Sequence, residues 1–178
     1  MNQIAIQYYK TSYGELVLGS FNETLCLCDW RYRKMRERID ERLQKGLNAD
    51  MVETGSEVVN HTIQQLNDYF NRQRNTFDIP LLMVGSDFQK EVWHGLLKIP
   101  FGQSASYSEL AERLGNKKAV RAVASANGAN AISIIIPCHR IIGRDGSLVG
   151  YAGGLRAKEK LLQLEQNNAF QKQQLLEF

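Results

Sequence analysis

Long apolar runs are missing from this chain. Nowhere do its 178 residues approach the roughly 20 apolar positions that a membrane-spanning helix needs, so no membrane partner is expected. Cysteine is scarce and odd in number, three in all, which argues against a disulfide framework. In a reducing compartment each thiol is then a core group, a metal ligand or a reactive centre. The opening MNQIAIQYYK lacks a basic stretch followed by an apolar one, so no secretory signal is expected and the protein is read as cytoplasmic. Repeats and low-complexity tracts are also absent. Neither sign of charge dominates: the net charge is +3, which says little about partners. Its distribution says more. Residues 1–85 carry ten basic and eleven acidic side chains, residues 86–165 eleven and seven. A basic excess in the second half is compatible with nucleic acid and too small to argue for it alone. With 43% hydrophobic and 23% charged residues, the chain has an ordinary globular composition. Its length suits one compact unit or two small subdomains sharing a core.

What is present reads as α/β (α+β). IAIQYY, ELVLGSF and LCLCDW are short runs rich in branched and aromatic residues, split by turn signals at Tyr13-Gly14 and Asn22-Glu23. They predict a small antiparallel meander. Arg31 to Lys45 has Met35, Ile39 and Leu43 four apart, a helix with a narrow apolar stripe, and Gly46 with Asn48 ends it. Ser56 through Arg72 is a second amphipathic helix, and residues 75–85 form an extended linker around Pro80. Beyond it, Ser86 with Gln89 and Ser106 with Glu109 are capping boxes opening helices through Lys98 and to Leu114. Gly115-Asn116 turns into a further helix over Lys117–Gly128, the outline of a helix-turn-helix. AISIIIP reads as a short buried strand leading into Cys138, and Leu155 to Gln166 as a last helix. The expected organisation is a sheet-and-helix domain over 1–80, a helical domain over 86–168 and a polar tail over 169–178 that frays.

Cys138 stands in IIIPCHR. A cysteine is nucleophilic only as thiolate, and its unperturbed pKa is about 8.5. His139 is a base near the sulfur, and Pro137 fixes the backbone just before it. Taken alone, the same residues also describe a buried structural cysteine beside an exposed histidine.

The surrounding motifs decide between these. Arg121 to Asn130 reads RAVASANGAN, Pro137-Cys138-His139-Arg140 follows, and Gly150-Tyr151-Ala152-Gly153-Gly154 comes next. In this order and spacing the stretch from Phe88 to Glu165 resembles the alkylguanine-DNA alkyltransferases, or methylated-DNA–protein-cysteine methyltransferases. The first 85 residues also fit that family's less specific amino-terminal domain, whose fold is ribonuclease H-like. The resemblance implies irreversible, stoichiometric transfer of an alkyl group from O6 of guanine in DNA to Cys138, without metal or other cofactor. His139 would accept the thiol proton through a water, Glu165 would orient and charge-stabilise His139, and Asn130 would hold the turn presenting the site. The substrate base is stacked inside the duplex and has to be flipped out. Arg121 resembles the arginine that fills the vacated stack. Tyr107 resembles the tyrosine that crowds the phosphate, and is the candidate proton donor to the departing guanine. Gln89, Ser108, Asn116 and Arg144 match phosphate-contacting positions, and Tyr151, Ala152 and Gly153 match the loop lining the guanine pocket. The family's recognition helix enters the minor groove, which suits a protein that must not read sequence; a monomer on double-stranded DNA is expected. Ala152 departs from a common serine, and Asn127 from a residue that is often apolar or small. The alternative reading is a non-catalytic sensor of alkylated DNA, though such proteins lack the acceptor cysteine. A Cys-His hydrolase leaves the helix-turn-helix unexplained.

Two other features are read as structural. Cys26 and Cys28 form a C-x-C on a strand, both expected on one face, and with His61 they fall short of the four ligands a zinc site needs. The run RYRKMRER, with Glu37, Asp40 and Glu41 interleaved, reads as a solvated helical face.

Overall fold

The computed structural model describes residues 2–176, with side chains to residue 166. Strands β1 (Asn2–Thr11), β2 (Gly14–Phe21) and β3 (Thr24–Trp30) form the expected meander. Helix α1 (Arg36–Leu47) then carries the chain to β4 (Ala49–Glu53), which pairs parallel with β1 and gives the sheet order β3-β2-β1-β4. The sequence reading left β4 out: ADMVE is five residues long and directly follows the helix stop at Asn48, whose φ is +47°.

Period-two burial sorts the strands between two cores. Leu16, Leu18, Leu25 and Trp30 face α2 (Glu57–Phe70) and the helices beyond residue 86. Ile4, Ile6, Val17 and Leu27 face α1 through Ile39 and Leu43. The larger core is continuous from the sheet to Leu161 and Leu164, and so crosses the linker. Cys26 and Cys28 do not share a face. A β-bulge between Gly19 and Ser20 leaves Cys26 unpaired, so its thiol joins the α1 core and Cys28 the other. Among the described residues no cluster of His, Cys, Asp and Glu is arranged to hold a metal.

The second half opens with α3 (Asp87–Leu97) and α4 (Tyr107–Arg113), both started by the capping boxes legible in the sequence. After Gly115, at φ +76°, α5 (Val120–Gly128) follows, three residues later than expected. Helix α6 (Leu155–Leu176) runs through most of the stretch expected to be a fraying tail, and residues 177–178 lie outside the described part.

Residues 131–137 are not a strand. Ile134 sits at φ +72°, and Ile136 N–H bonds back to Ile132 O in a tight coil. An apolar run cannot by itself reveal whether it is extended. Here the backbone groups go elsewhere: Cys28 N–H donates to Ala131 O at 2.9 Å, and Ser133 N–H to Cys28 O at 2.6 Å. Leu25 similarly exchanges bonds with Pro80 and Leu82. The outer edge of β3 is thereby covered by two distant segments, which removes an exposed edge and anchors the coil before Cys138 to the sheet.

Candidate active site

Cys138 opens a short 3₁₀ turn, Cys138–Arg140, at the wall of a cleft of about 1000 Å³. Trp30, Tyr107, Asn127, Tyr151 and Gly153 line the same cleft. The thiol is only 3% exposed. Burial pushes its pKa up, against the pull of an Asn130 hydrogen bond, so the resting group is a thiol that needs a base. Asn130 Nδ2 donates to Sγ at 3.2 Å and to Ile136 O at 2.9 Å, while its Oδ1 accepts from Ile132 N–H at 3.0 Å. One amide thus fixes both the coil and the sulfur, and the strand predicted there is replaced by a side-chain-held turn.

Behind the thiol lies a buried polar network. His139 is fully buried, and its Nε2 lies 2.7 Å from Glu165 Oε1. Glu165 accepts two bonds from Arg140, at 2.9 and 3.0 Å, and others from Tyr69 Oη at 2.7 Å and Gly102 N–H at 3.3 Å. Burial would raise its carboxyl pKa, but the charges and hydrogen bonds of His139 and Arg140 outweigh it and bring the value down to about 2. An ionised Glu165 requires Nε2 to be the donor, which leaves the lone pair of neutral His139 on Nδ1. Nδ1 is buried and has no hydrogen-bond partner among the described residues. Burial also lowers the His139 pKa, more than Glu165 raises it, so the neutral base is the resting form. His139 is therefore not exposed, and Glu165 is buried with it.

The cleft wall is equally built. Tyr151 Oη accepts from Trp30 Nε1 at 3.1 Å, and the two rings meet edge to face at 5.9 Å. A Cβ on Gly153 would lie 2.4 Å from the same indole, so glycine is required there. Ala152 packs against the core between them. Tyr107, the first residue of α4, is half-buried; its pKa is raised by burial, and Asn127 Nδ2 approaches its hydroxyl at 3.4 Å. Ser108 follows it, Asn116 is exposed in the α4–α5 turn, Arg121 is exposed in the first turn of α5, and Arg144 is exposed in the loop before Tyr151. Gln89 lies in the first turn of α3 with its carbonyl committed to the cap at Ser86 N–H. These five are not joined to Cys138 by any hydrogen bond among the described residues.

Sequence reasoning missed several participants. Lys158 is fully buried, and its Nζ donates to Val149 O at 2.7 Å, tying down the loop that carries Tyr151; burial lowers its pKa to about 8. The arginine run is only partly a solvated face: Tyr32, Lys34, Glu37 and Arg38 are exposed, while other members turn inward. Arg33 and Arg36 both bind the buried Asp29, at 3.0 and 2.9 Å. Arg33 also reaches Gly128 O and Arg42 reaches Ala129 O, each at 2.7 Å. The carboxyl end of α5 is thus capped by cations from the first half of the chain.

A buried thiol with a locked imidazole and carboxylate behind it, opening on a cleft, defines a protein that uses cysteine as a nucleophile. Comparison with known proteins narrows the class. The methylated-DNA–protein-cysteine methyltransferase of Methanosarcina barkeri is 48% identical over 120 residues, 67% of this chain and 75% of that protein. The chain belongs to the methylated-DNA–protein-cysteine methyltransferase family. The namesake from Mycobacterium tuberculosis is 50% identical over 107 residues, 60% of this chain and 65% of that one. A family model described as the DNA-binding domain of 6-O-methylguanine DNA methyltransferase matches residues 87–167. The crystal structure of the M. tuberculosis O6-methylguanine methyltransferase superposes with a TM-score of 0.78 at 34% identity, covering 93% of this chain and 94% of that one. That protein has also been solved in complex with DNA.

Proposed function

We propose that this protein repairs DNA by moving the alkyl group of O6-alkylguanine irreversibly onto Cys138. The observation that carries the reading is the buried Cys138–His139–Glu165 arrangement, with Nε2 of the base locked and Nδ1 left free. His139 takes the thiol proton at Nδ1 through a water. The sulfur attacks the alkyl carbon, the S–C bond forms as the C–O6 bond breaks, and the electron pair leaves on the guanine. Tyr107 supplies a proton to that leaving group, and Asn127 beside it leaves the phenolic hydrogen available. Asn130 holds the sulfur, and Tyr151, Ala152 and Gly153 wall the guanine pocket. The thioether product is stable, so each molecule acts once.

The DNA side belongs to the same proposal. Helices α4 and α5 form a helix-turn-helix whose second helix enters the minor groove. Arg121 replaces the flipped nucleotide, and Gln89, Ser108, Asn116 and Arg144 contact phosphates. Exposure of Arg121, Asn116 and Arg144 supports this, as does the position of α5 along the cleft. The unit over 86–168 carries the chemistry, the unit over 1–80 supports it, and the protein works as a monomer in the cytoplasm, where its three free cysteines stay reduced.

Intact-protein mass after mixing with an oligonucleotide containing O6-methylguanine tests the reading. One added methyl group per protein, mapped to Cys138, is expected. Lesion binding without mass gain would favour a damage sensor, and a modified residue other than Cys138 would overturn the assignment.

A further inference from the structure

We propose that Tyr69 is a positioning residue for alkyl transfer: its hydroxyl, carried by helix α2, donates to the Glu165 oxygen that also takes the His139 N–H. It thereby sets the place and the effective charge of the carboxylate behind the base. The inference rests on the reading of His139 as the base, and adds a residue outside the matched segment 87–167.

Tyr69 lies in the last turn of α2 and is 1% exposed. Its ring is packed by Phe77 and Phe101, with centroids 5.4 and 6.2 Å away. Packing alone would be served by phenylalanine. The hydroxyl instead reaches Glu165 Oε1 at 2.7 Å, where His139 Nε2 and Arg140 Nη2 also converge. Oε2 takes Arg140 Nε and the Gly102 N–H. Among the described residues, Tyr69 is the one donor in this shell that comes from before α3. Burial and the neighbouring carboxylate hold its pKa well above the ordinary phenol, so it remains a donor throughout the working range.

The charged and titratable groups facing the His139–Glu165 pair are Arg140, Lys158, Tyr151 and Tyr69. Removing the Tyr69 hydroxyl leaves more negative charge on Oε1. That favours the imidazolium form of His139 and raises its pKa. Transfer needs neutral His139, so the acid limb of the rate profile moves to higher pH.

The test is single-turnover transfer from free O6-benzylguanine, followed across pH for the wild type, Tyr69→Phe and Phe77→Leu. Tyr69→Phe should shift the acid limb up by ~0.5 unit or more, about a threefold loss of rate on that limb. Phe77→Leu loosens the same packing without touching Glu165 and should leave the limb in place. An unchanged limb in Tyr69→Phe, or an equal shift in Phe77→Leu, overturns the proposal. A wild type that transfers nothing overturns the functional reading instead. Should Tyr69→Phe fail to unfold cooperatively, proton NMR of the wild type decides. A slowly exchanging Tyr69 hydroxyl with a nuclear Overhauser contact to the His139 Nε2 proton is expected, and its absence refutes the role.

Discussion

Glu165 shows how strongly one side chain here depends on its surroundings. Five donors from four residues converge on it, and Arg140 next to it is buried with it. Glu165→Gln leaves that guanidinium without its counter-charge and should cost roughly 3–5 kcal/mol, measurable by urea unfolding. The carboxyl pKa falls from 4.5 unfolded to about 2 folded, so the native state binds fewer protons in that interval. The stability it contributes is complete above about pH 4.5 and is lost as pH falls toward 2. Acid unfolding followed by circular dichroism should show this slope in the wild type and a flatter one in Glu165→Gln. Gly153 depends on its surroundings in the opposite way, through the absence of a side chain. Gly153→Ala drives a methyl into the Trp30 indole and should destabilise by ~1–3 kcal/mol while slowing transfer, because the Tyr151 loop has to move. Thermal melting and transfer rate measured on one preparation check both.

At the scale of elements, α3 and α4 were legible because each carries its own start signal. Ser86 and Ser106 cap α3 and α4 as their spacing predicts, and the alternating runs of the first thirty residues are β1 to β3. The coil at 131–137 was not legible, since its conformation is dictated by Asn130 and by the edge of β3, more than a hundred residues earlier. Asp29 was likewise hidden: nothing local says that two arginines and Ser133 converge on it. In α6 a signal was present and unused. Lys158 and Glu165 are seven residues apart on the stripe that also buries Leu161 and Leu164, and charges at core positions of a helix mark a site. Asn130, Cys138, His139 and Glu165, by contrast, were all named from motif order, and the structure pairs Asn130 with Cys138 and His139 with Glu165; Tyr69 escaped because it lies far upstream in a helix that reads as ordinary core. For α5 the expectation concerns Arg121. Arg121→Ala should slow repair in duplex DNA by about tenfold or more, while leaving reaction with free O6-benzylguanine nearly unchanged, since only the duplex requires flipping. Equal losses on both substrates would argue that Arg121 merely supports the fold.

Over the whole molecule, the linker at 75–85 separates two sets of elements but not two cores. Leu16, Leu25 and Trp30 share one apolar cluster with Val92, Ile132 and Leu161. Cys28 pairs with Ile132, and Tyr69 bonds Glu165. The segment 86–178 made alone should therefore lack cooperative unfolding and transfer activity, even though the family match covers only 87–167. A sharp melting transition in that fragment would show that the second half is self-sufficient. DNA affinity should fall linearly on a log–log plot with salt, as counterion release requires.

The seal on the edge of β3 also has a consequence for timing. In a chain made from its amino end, the sheet can form early, but its outer edge stays open until residues 80–82 and then 131–133 arrive to close it. The coil that presents Cys138 cannot settle before that, and the carboxylate behind His139 arrives later still. Cys138 itself is made late, and until Glu165 has followed it the thiol is an ordinary cysteine. A nucleophile that can be spent only once is switched on when the molecule around it is nearly finished.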